Sequence, residues 1–234
     1  MTLLVLIRDA ADIVGLPRPS AVVSSADTQV RQLLALANRE GKSLAQRHDW
    51  TVQQKTATHT TLAAEDQGTI VSIAPDFDRL ANETTWNRSQ QERVGGPLSP
   101  IDWQLLQAST VTGPYQDFRI QGGNLHLYPA PPAGETVAFD YVAKSWCQSA
   151  VSVAQTRWAA DDDTGILSED LMLLGIIWRW KQQKGMDYGE DFSTYEKEVM
   201  HAAARDGGRR VISLDEDAYE YQPTIRAPIG SWAP

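Results

Sequence analysis

Apolar positions recur at helical spacing at both ends of the chain and at strand spacing through its middle. Leu3, Leu6, Ile7, Ala10 and Ile13-Val14 follow the helical period, and Gly15 with Pro17 supplies a stop. A helix is therefore expected from about Leu3 to Val14. A second, longer helix is expected after Ser24-Ser25, with Asp27 three residues beyond Ser24 in capping-box position. Val30, Leu33-Leu34, Ala37, Leu44 and Ala45 form its apolar stripe. Arg31, Arg39, Glu40 and Lys42 fall largely off that stripe, and the helix ends near His48-Asp49-Trp50.

From Thr51 to about Ser145 the pattern shortens to alternating runs rich in Thr, Val, Gly and Pro, which predicts antiparallel β structure. The clearest piece is a hairpin, with Phe118–Gln121 and Leu125–Tyr128 around Gly122-Gly123-Asn124 and ended by Pro129, Pro131 and Pro132. Thr136 to Val142 predicts a strand with Val137, Phe139 and Tyr141 on one face. A further hairpin is expected from Glu83–Arg88 and Gln91–Val94, and a short helix from Pro100 to Gln107.

Helical spacing returns at Ser168, an N-cap followed by Glu169 and Asp170 where the helix dipole favours acids. Leu171, Leu173-Leu174, Ile176-Ile177, Trp178 and Trp180 make this the most apolar helix, closed by Lys181, Lys184 and Gly185. Trp178 and Trp180 lie two apart, so at most one is expected to point fully inward, leaving the other for an inter-subunit contact. A last helix is expected from about Asp191 to Arg205, ending at Gly207-Gly208. Residues 209–234 carry little periodicity and read as an extended arm.

This order predicts an α+β protein. Residues 1–50 and 146–208 would close a helical core, residues 51–145 would be an inserted antiparallel β domain, and 209–234 the arm. No internal repeat is evident.

Composition narrows the function classes. At 234 residues the chain is long enough to bury a core without disulfides or metals, and 42% hydrophobic with 22% charged residues is ordinary for a globular protein. The net charge of −9 argues against tight binding to a phosphate backbone, which uses a basic face; it is compatible with a channel that lets DNA slide past, and composition alone does not choose between those cases. Arg209-Arg210 is the one basic block that stands out. The run Leu3–Ile7 lacks a basic leader and is broken at Arg8-Asp9, so no signal peptide is expected, and no apolar stretch approaches a membrane span. The chain is expected to stay in the cytosol where it is made until it joins an assembly.

Candidate chemistry is sparse. His48, His59, His126 and His201 lack metal-ligand spacing, and no nucleophile elbow, phosphate loop or dinucleotide fingerprint is present. Asp161-Asp162-Asp163 could suggest a cation loop, with Glu169 or Asp170 to close it. Its contiguous carboxylates instead suit a solvated turn before the capped helix. Cys147, the only cysteine, reads as a small buried hydrophobe beside Trp146. Trp50, Trp103 and Trp146 read as core; exposed tryptophans, if any, could stack sugars or bases. No catalytic, cofactor-binding or metal-binding residue is assigned, and no enzyme activity is expected.

Several stretches carry a resemblance. These are the helix pair ending in His48-Asp49-Trp50, Phe118 to Tyr128 leading into Pro129-Ala130-Pro131, and Tyr141–Trp146. Trp178-Arg179-Trp180-Lys181, Tyr195-Glu196 and Arg205–Ile212 continue it. With them the chain resembles the head-to-tail adaptors of short-tailed bacteriophages. The resemblance implies a ring of twelve copies around the DNA channel. The portal protein would lie above it and tail nozzle, fibre or spike proteins below. It also implies a virion location at the head–tail interface, synthesis in the host cytoplasm, and no cofactor. The arm would contact the portal or neighbouring subunits, with Arg209, Arg210, Tyr219, Tyr221 and Trp232 as the candidate partner-binding residues. A glycan-binding or wall-hydrolysing virion component is the alternative, and a subunit of a cellular complex the third reading.

Overall fold

The computed structural model describes residues 1–81, 83–109 and 115–207. Helix α1 (Leu3–Ile13) is followed by α2 (Thr28–Arg47) and a single 3-10 turn at Thr51–Gln53. Strands β1 (Gln54–Thr60) and β2 (Asp66–Thr69), the one-turn helix α3 (Ile70–Ile73), and strands β3 (Phe77–Leu80), β4 (Trp86–Asn87) and β5 (Glu92–Arg93) come next. Then follow α4 (Pro100–Ala108), β6 (Asp117–Gln121), β7 (Asn124–Tyr128) and β8 (Thr136–Ala143). The short strands β9 (Cys147–Gln148), β10 (Ala154–Gln155) and β11 (Thr164–Gly165) precede α5 (Glu169–Gln183) and α6 (Gly189–Arg205). The fold class is mixed helix and antiparallel sheet.

Local chemistry explains where the helices stop. At the end of α1, Gly15 takes φ +74°, the Leu16 N–H reaches Ala11 O and the Gly15 N–H reaches Asp12 O. The end of α5 repeats this with Gly185 at φ +69°, Met186 N–H to Lys181 O and Gly185 N–H to Gln182 O. Both are Schellman closures, which use the left-handed conformation that glycine adopts without strain. At the start of α1 the free N–H groups of Leu3 and Leu4 are satisfied by the Asp163 and Asp161 carbonyls.

Two expected caps differ. Asp27, not Ser24, caps α2, its carboxylate accepting from the Gln29 N–H at 2.7 Å, so the helix begins at Thr28. A shorter entry turn with an ionised acceptor replaces the capping box. Ser168 occupies the N-cap of α5 but its hydroxyl makes no capping bond.

Helices α1, α2, α5 and α6 share one apolar core. It includes Leu3, Leu6, Ile7, Leu33, Leu44, Ile176, Trp180 and Tyr195. Trp146, Cys147, Trp158 and Leu167, from the β9–β11 region, belong to the same core. Chain order places β1 to β8 between α2 and α5, and a second core of Ala57, Ile70, Phe118, Leu125, Leu127, Val137, Phe139 and Tyr141 lies there. In its larger sheet β1 runs along one edge of β8, while β3 and β4 succeed one another along the other. Because β8 has neighbours on both edges and cover on both faces, Ala138, Val142 and Ala143 are buried as well as Val137, Phe139 and Tyr141. The one-sided strand expected there is buried on two sides.

The hairpin β6–β7 pairs Gln121 with Asn124 across Gly122 and Gly123, both at positive φ, which a tight two-residue turn requires. The hairpin β4–β5 and helix α4 also form. The three-stranded β9–β10–β11 sheet lies inside the 146–208 stretch read as helical, its two-residue strands too short to leave a period.

Candidate functional site

The chemistry-bearing residues build supports, and they do so chiefly where elements distant in sequence meet. Glu40 on α2 is fully buried; its carboxylate accepts from Arg179 Nε of α5 at 2.6 Å and from the Tyr195 hydroxyl of α6. The Arg179 guanidinium also lies 4.4 Å from the Trp178 ring centre. Burial first, and then the Glu40 charge, push the Tyr195 phenol above its ordinary range, so it stays a protonated donor. Arg47 completes the arrangement, pairing with Glu196 at 2.7 Å over the Tyr195 ring. One buried carboxylate thus joins three helices.

Two mid-helix glycines make room for it. A Cβ on Gly175 would fall inside the Glu40 carboxylate, and one on Gly41 inside the Trp146 ring. Glu40 was expected off the apolar stripe, where a charged residue ordinarily faces solvent. Its position is instead 0% exposed, because Arg179 and Tyr195 arrive from the far end of the chain. The signal available in the sequence was the pair Gly41 and Gly175, since glycine inside a helix otherwise only weakens it.

A second support ties β8 to its neighbours. The Asp76 carboxylate accepts from Lys55 Nζ at 2.5 Å, Tyr141 Oη at 2.7 Å and Ser145 Oγ at 3.2 Å. Burial alone would raise this carboxyl, but the hydrogen bonds and the Lys55 charge outweigh it and hold Asp76 below the usual carboxylate range. A third support lies at the end of α6. Asp206 accepts from the Thr51 N–H at 2.8 Å and Thr51 Oγ1 at 2.6 Å, with His48 Nε2 at 3.4 Å.

The acidic run before α5 is structural. The Asp161 carboxylate accepts from the Val22 and Val23 N–H groups, and Asp163 from those of Ala159 and Ala160. Asp163 is 1% exposed, so the solvated turn expected here is a buried knot, and only Asp162 faces solvent. Its oxygens are aimed at backbone donors, because the loop also closes the start of α1. Among the described residues no group of three or more His, Cys, Asp or Glu is placed to hold a metal ion.

Cys147 is fully buried in the helical core, as expected, and burial followed by the Asp163 charge pushes its thiol up to about 12. The four histidines stand apart: His48 edge-on to Trp50, His59 beside Gln67, His126 near Glu65, His201 near Glu198.

Both Trp178 and Trp180 are buried, at 7% and 2% exposure. The expectation that one must face outward fails because α5 packs against α1, α2 and α6, leaving it no free face at that end. Trp50, Trp103, Trp146 and Trp158 are buried too, so among the described residues only Trp86 is an exposed tryptophan. Arg209, Arg210, Tyr219, Tyr221 and Trp232 lie outside the described residues. Among those described, no helix is long and apolar enough to cross a membrane.

A buried ion pair braces the helical core, and a second apolar core lies among the strands that chain order places between α2 and α5. The family profile of the SU10 adaptor protein matches residues 1–228, and the chain belongs to that family. It is a bacteriophage adaptor, a structural component of the virion that contacts other virion proteins. A comparison with curated proteins finds no match.

Proposed function

We propose that this adaptor assembles as a ring of twelve copies that joins the portal to the tail and surrounds the DNA channel. The observation that carries the reading is the family match across residues 1–228. The net charge of −9 supports it, since a channel wall of the same sign as DNA lets the duplex slide without sticking. So does apolar surface left open on separate parts of the molecule. Ile101 and Leu105 on α4 are 80% and 70% exposed, and Met186, Phe192 and Met200 are exposed around α6. In a ring each subunit uses two different faces, and rotation closes the assembly.

In this reading residues 1–50 and 146–208 form the helical core, 51–145 the inserted β-rich domain, and 209–234 an extended C-terminal arm. Arg209, Arg210, Tyr219, Tyr221 and Trp232 are the arm's proposed contacts to the portal or a neighbouring subunit, and tail nozzle, fibre or spike proteins would dock on the opposite side. The test is to mix the purified chain with its cognate portal and image the product by electron microscopy. A closed ring stacked coaxially on the portal supports the proposal; two folded proteins that stay separate overturn it.

A further inference from the structure

We infer that, in the free adaptor, the acidic C-terminal stretch Asp215–Tyr221 docks on a basic groove of its own chain, between α2 and the segment 144–157. The groove is a cavity of about 470 Å³, with Lys42, Ala45 and Gln46 of α2 on one side and Asp78, Ala143, Lys144, Trp146 and Thr156 around the rest. Asn38, one turn before Lys42, accepts from the Trp158 N–H at 3.0 Å, and Arg39 and Arg157 flank this bond in sequence, near the lining residues of the groove. Among the described residues the side chains of Arg39, Lys42, Lys144 and Arg157 are exposed and have no hydrogen-bond or ion-pair partner. Asp78, the acid in the rim, is taken by Arg79 at 2.6 Å. Two lining cations, Lys42 and Lys144, with two more nearby in sequence, stand out in a chain whose net charge is −9.

The chain itself carries a matching segment. Asp215, Glu216, Asp217 and Glu220 fall in one short stretch, interleaved with Tyr219 and Tyr221. The carboxylates meet the cations of the rim, and a tyrosine ring meets the apolar wall of Ala45, Ala143 and Trp146.

Reach favours the same chain. Asp206 is bonded to Thr51, and Gly207 lies against the Thr51 side chain. Gln53, two residues on, donates to the carbonyls of Ala143 and Ser145 at 3.1 and 3.2 Å, on either side of Lys144. These contacts lead from Gly207 by way of Thr51 and Gln53 to the backbone beside Lys144, and eight extended residues to Asp215 span up to about 26 Å. A tether of seven residues, 208–214, makes docking on the same chain an intramolecular event with a high effective concentration. Docking there would also hold the arm's aromatic residues away from other copies until a partner displaces it.

The test uses the full chain, free of portal, with zero-length carbodiimide coupling and peptide mass spectrometry on an equal mixture of ¹⁴N and ¹⁵N protein. The expected product joins Lys42 or Lys144 to a carboxylate of 215–220 within one isotopic chain, at a yield independent of protein concentration. Arg39→Glu/Arg157→Glu, which leaves both coupling lysines in place, is expected to lower that yield roughly tenfold, because two repulsive charges replace two attractive ones. Hydrogen exchange gives a second readout: amides of 215–221 are protected in the wild type and lose protection in Lys42→Glu/Lys144→Glu. Mixed-isotope products, in which the segment of one copy docks on another, overturn the inference. So does absence of coupling together with unprotected amides. Neither outcome touches the ring proposal, which is read from the complex with portal.

Discussion

Glu40 and Arg179, 139 residues apart in sequence, meet at 2.6 Å in the centre of the helical core, with side-chain exposures of 0% and 8%. The pair ties α2 to α5. Two buried charges recover their desolvation only when every polar atom is engaged. The Tyr195 hydroxyl donates to the other Glu40 oxygen, and so brings α6 into the same constraint.

Removing one partner should therefore be costly. Glu40→Ala is expected to lower unfolding free energy by about 3–5 kcal/mol, because Arg179 would remain buried without a counter-charge. Glu40→Ala with Arg179→Met should recover a large part of that loss. Urea titrations of the two variants decide it: a double variant no more stable than the single one would mean that the unpaired charge is not the cause.

Gly175→Ala places a methyl group inside the Glu40 carboxylate. Helix propensity alone favours alanine by about 1 kcal/mol, so a purely local account predicts a higher melting temperature. Overpacking costs about 1–3 kcal/mol, and a lower melting temperature is expected. Gly189→Ala, at the start of α6 with only ordinary contacts around it, serves as the control and should be neutral or stabilising.

Asp76 gives the pH dependence a sign. Its folded carboxyl titrates below the ordinary value of 3.8, so folding is favoured by its ionisation. That contribution is fully present above the unfolded value and is lost as pH falls through the folded one. Between pH 7 and pH 5 stability should be level on this account, and it should fall below about pH 4. Asp76→Asn should lower the urea midpoint at pH 7 and flatten the acid limb. An acid limb as steep as that of the wild type would assign it to other carboxylates.

Cys147 should be inert in the native protein. It is fully buried and its thiol is held protonated far above neutral pH. Alkylation at pH 8 is expected to track global unfolding, with urea restoring the rate of an exposed thiol. Fast labelling of the native chain would show that the β9–β11 region opens by itself.

The parts of this fold that were legible in the sequence are those set by short-range rules. Gly15 and Gly185 marked helix ends because the Schellman closure needs a left-handed residue at that position. Gly122-Gly123 marked the hairpin for a related reason. What stayed hidden depends on partners far along the chain. Glu40 looked solvent-facing until Arg179 and Tyr195 arrived, and one of Trp178 and Trp180 was expected to face outward until Tyr188, with Phe192 and Tyr195 of α6, closed against the Trp178 ring. The acids at 161–163 looked like a turn because the N–H groups that donate to Asp161, those of Val22 and Val23, lie in the loop that follows α1. The Ser24 cap was misplaced by one competing acid, Asp27, whose charge makes it the stronger acceptor.

The central claim is that this chain closes a ring on the portal, and the most direct measurement is the mass it adds. Native mass spectrometry of the portal, before and after saturation with the adaptor, should show a single step of twelve times the 25.9 kDa chain mass, with few partially filled species. A bound mass that rises one chain at a time without a preferred count, or no bound mass at all, would contradict the ring.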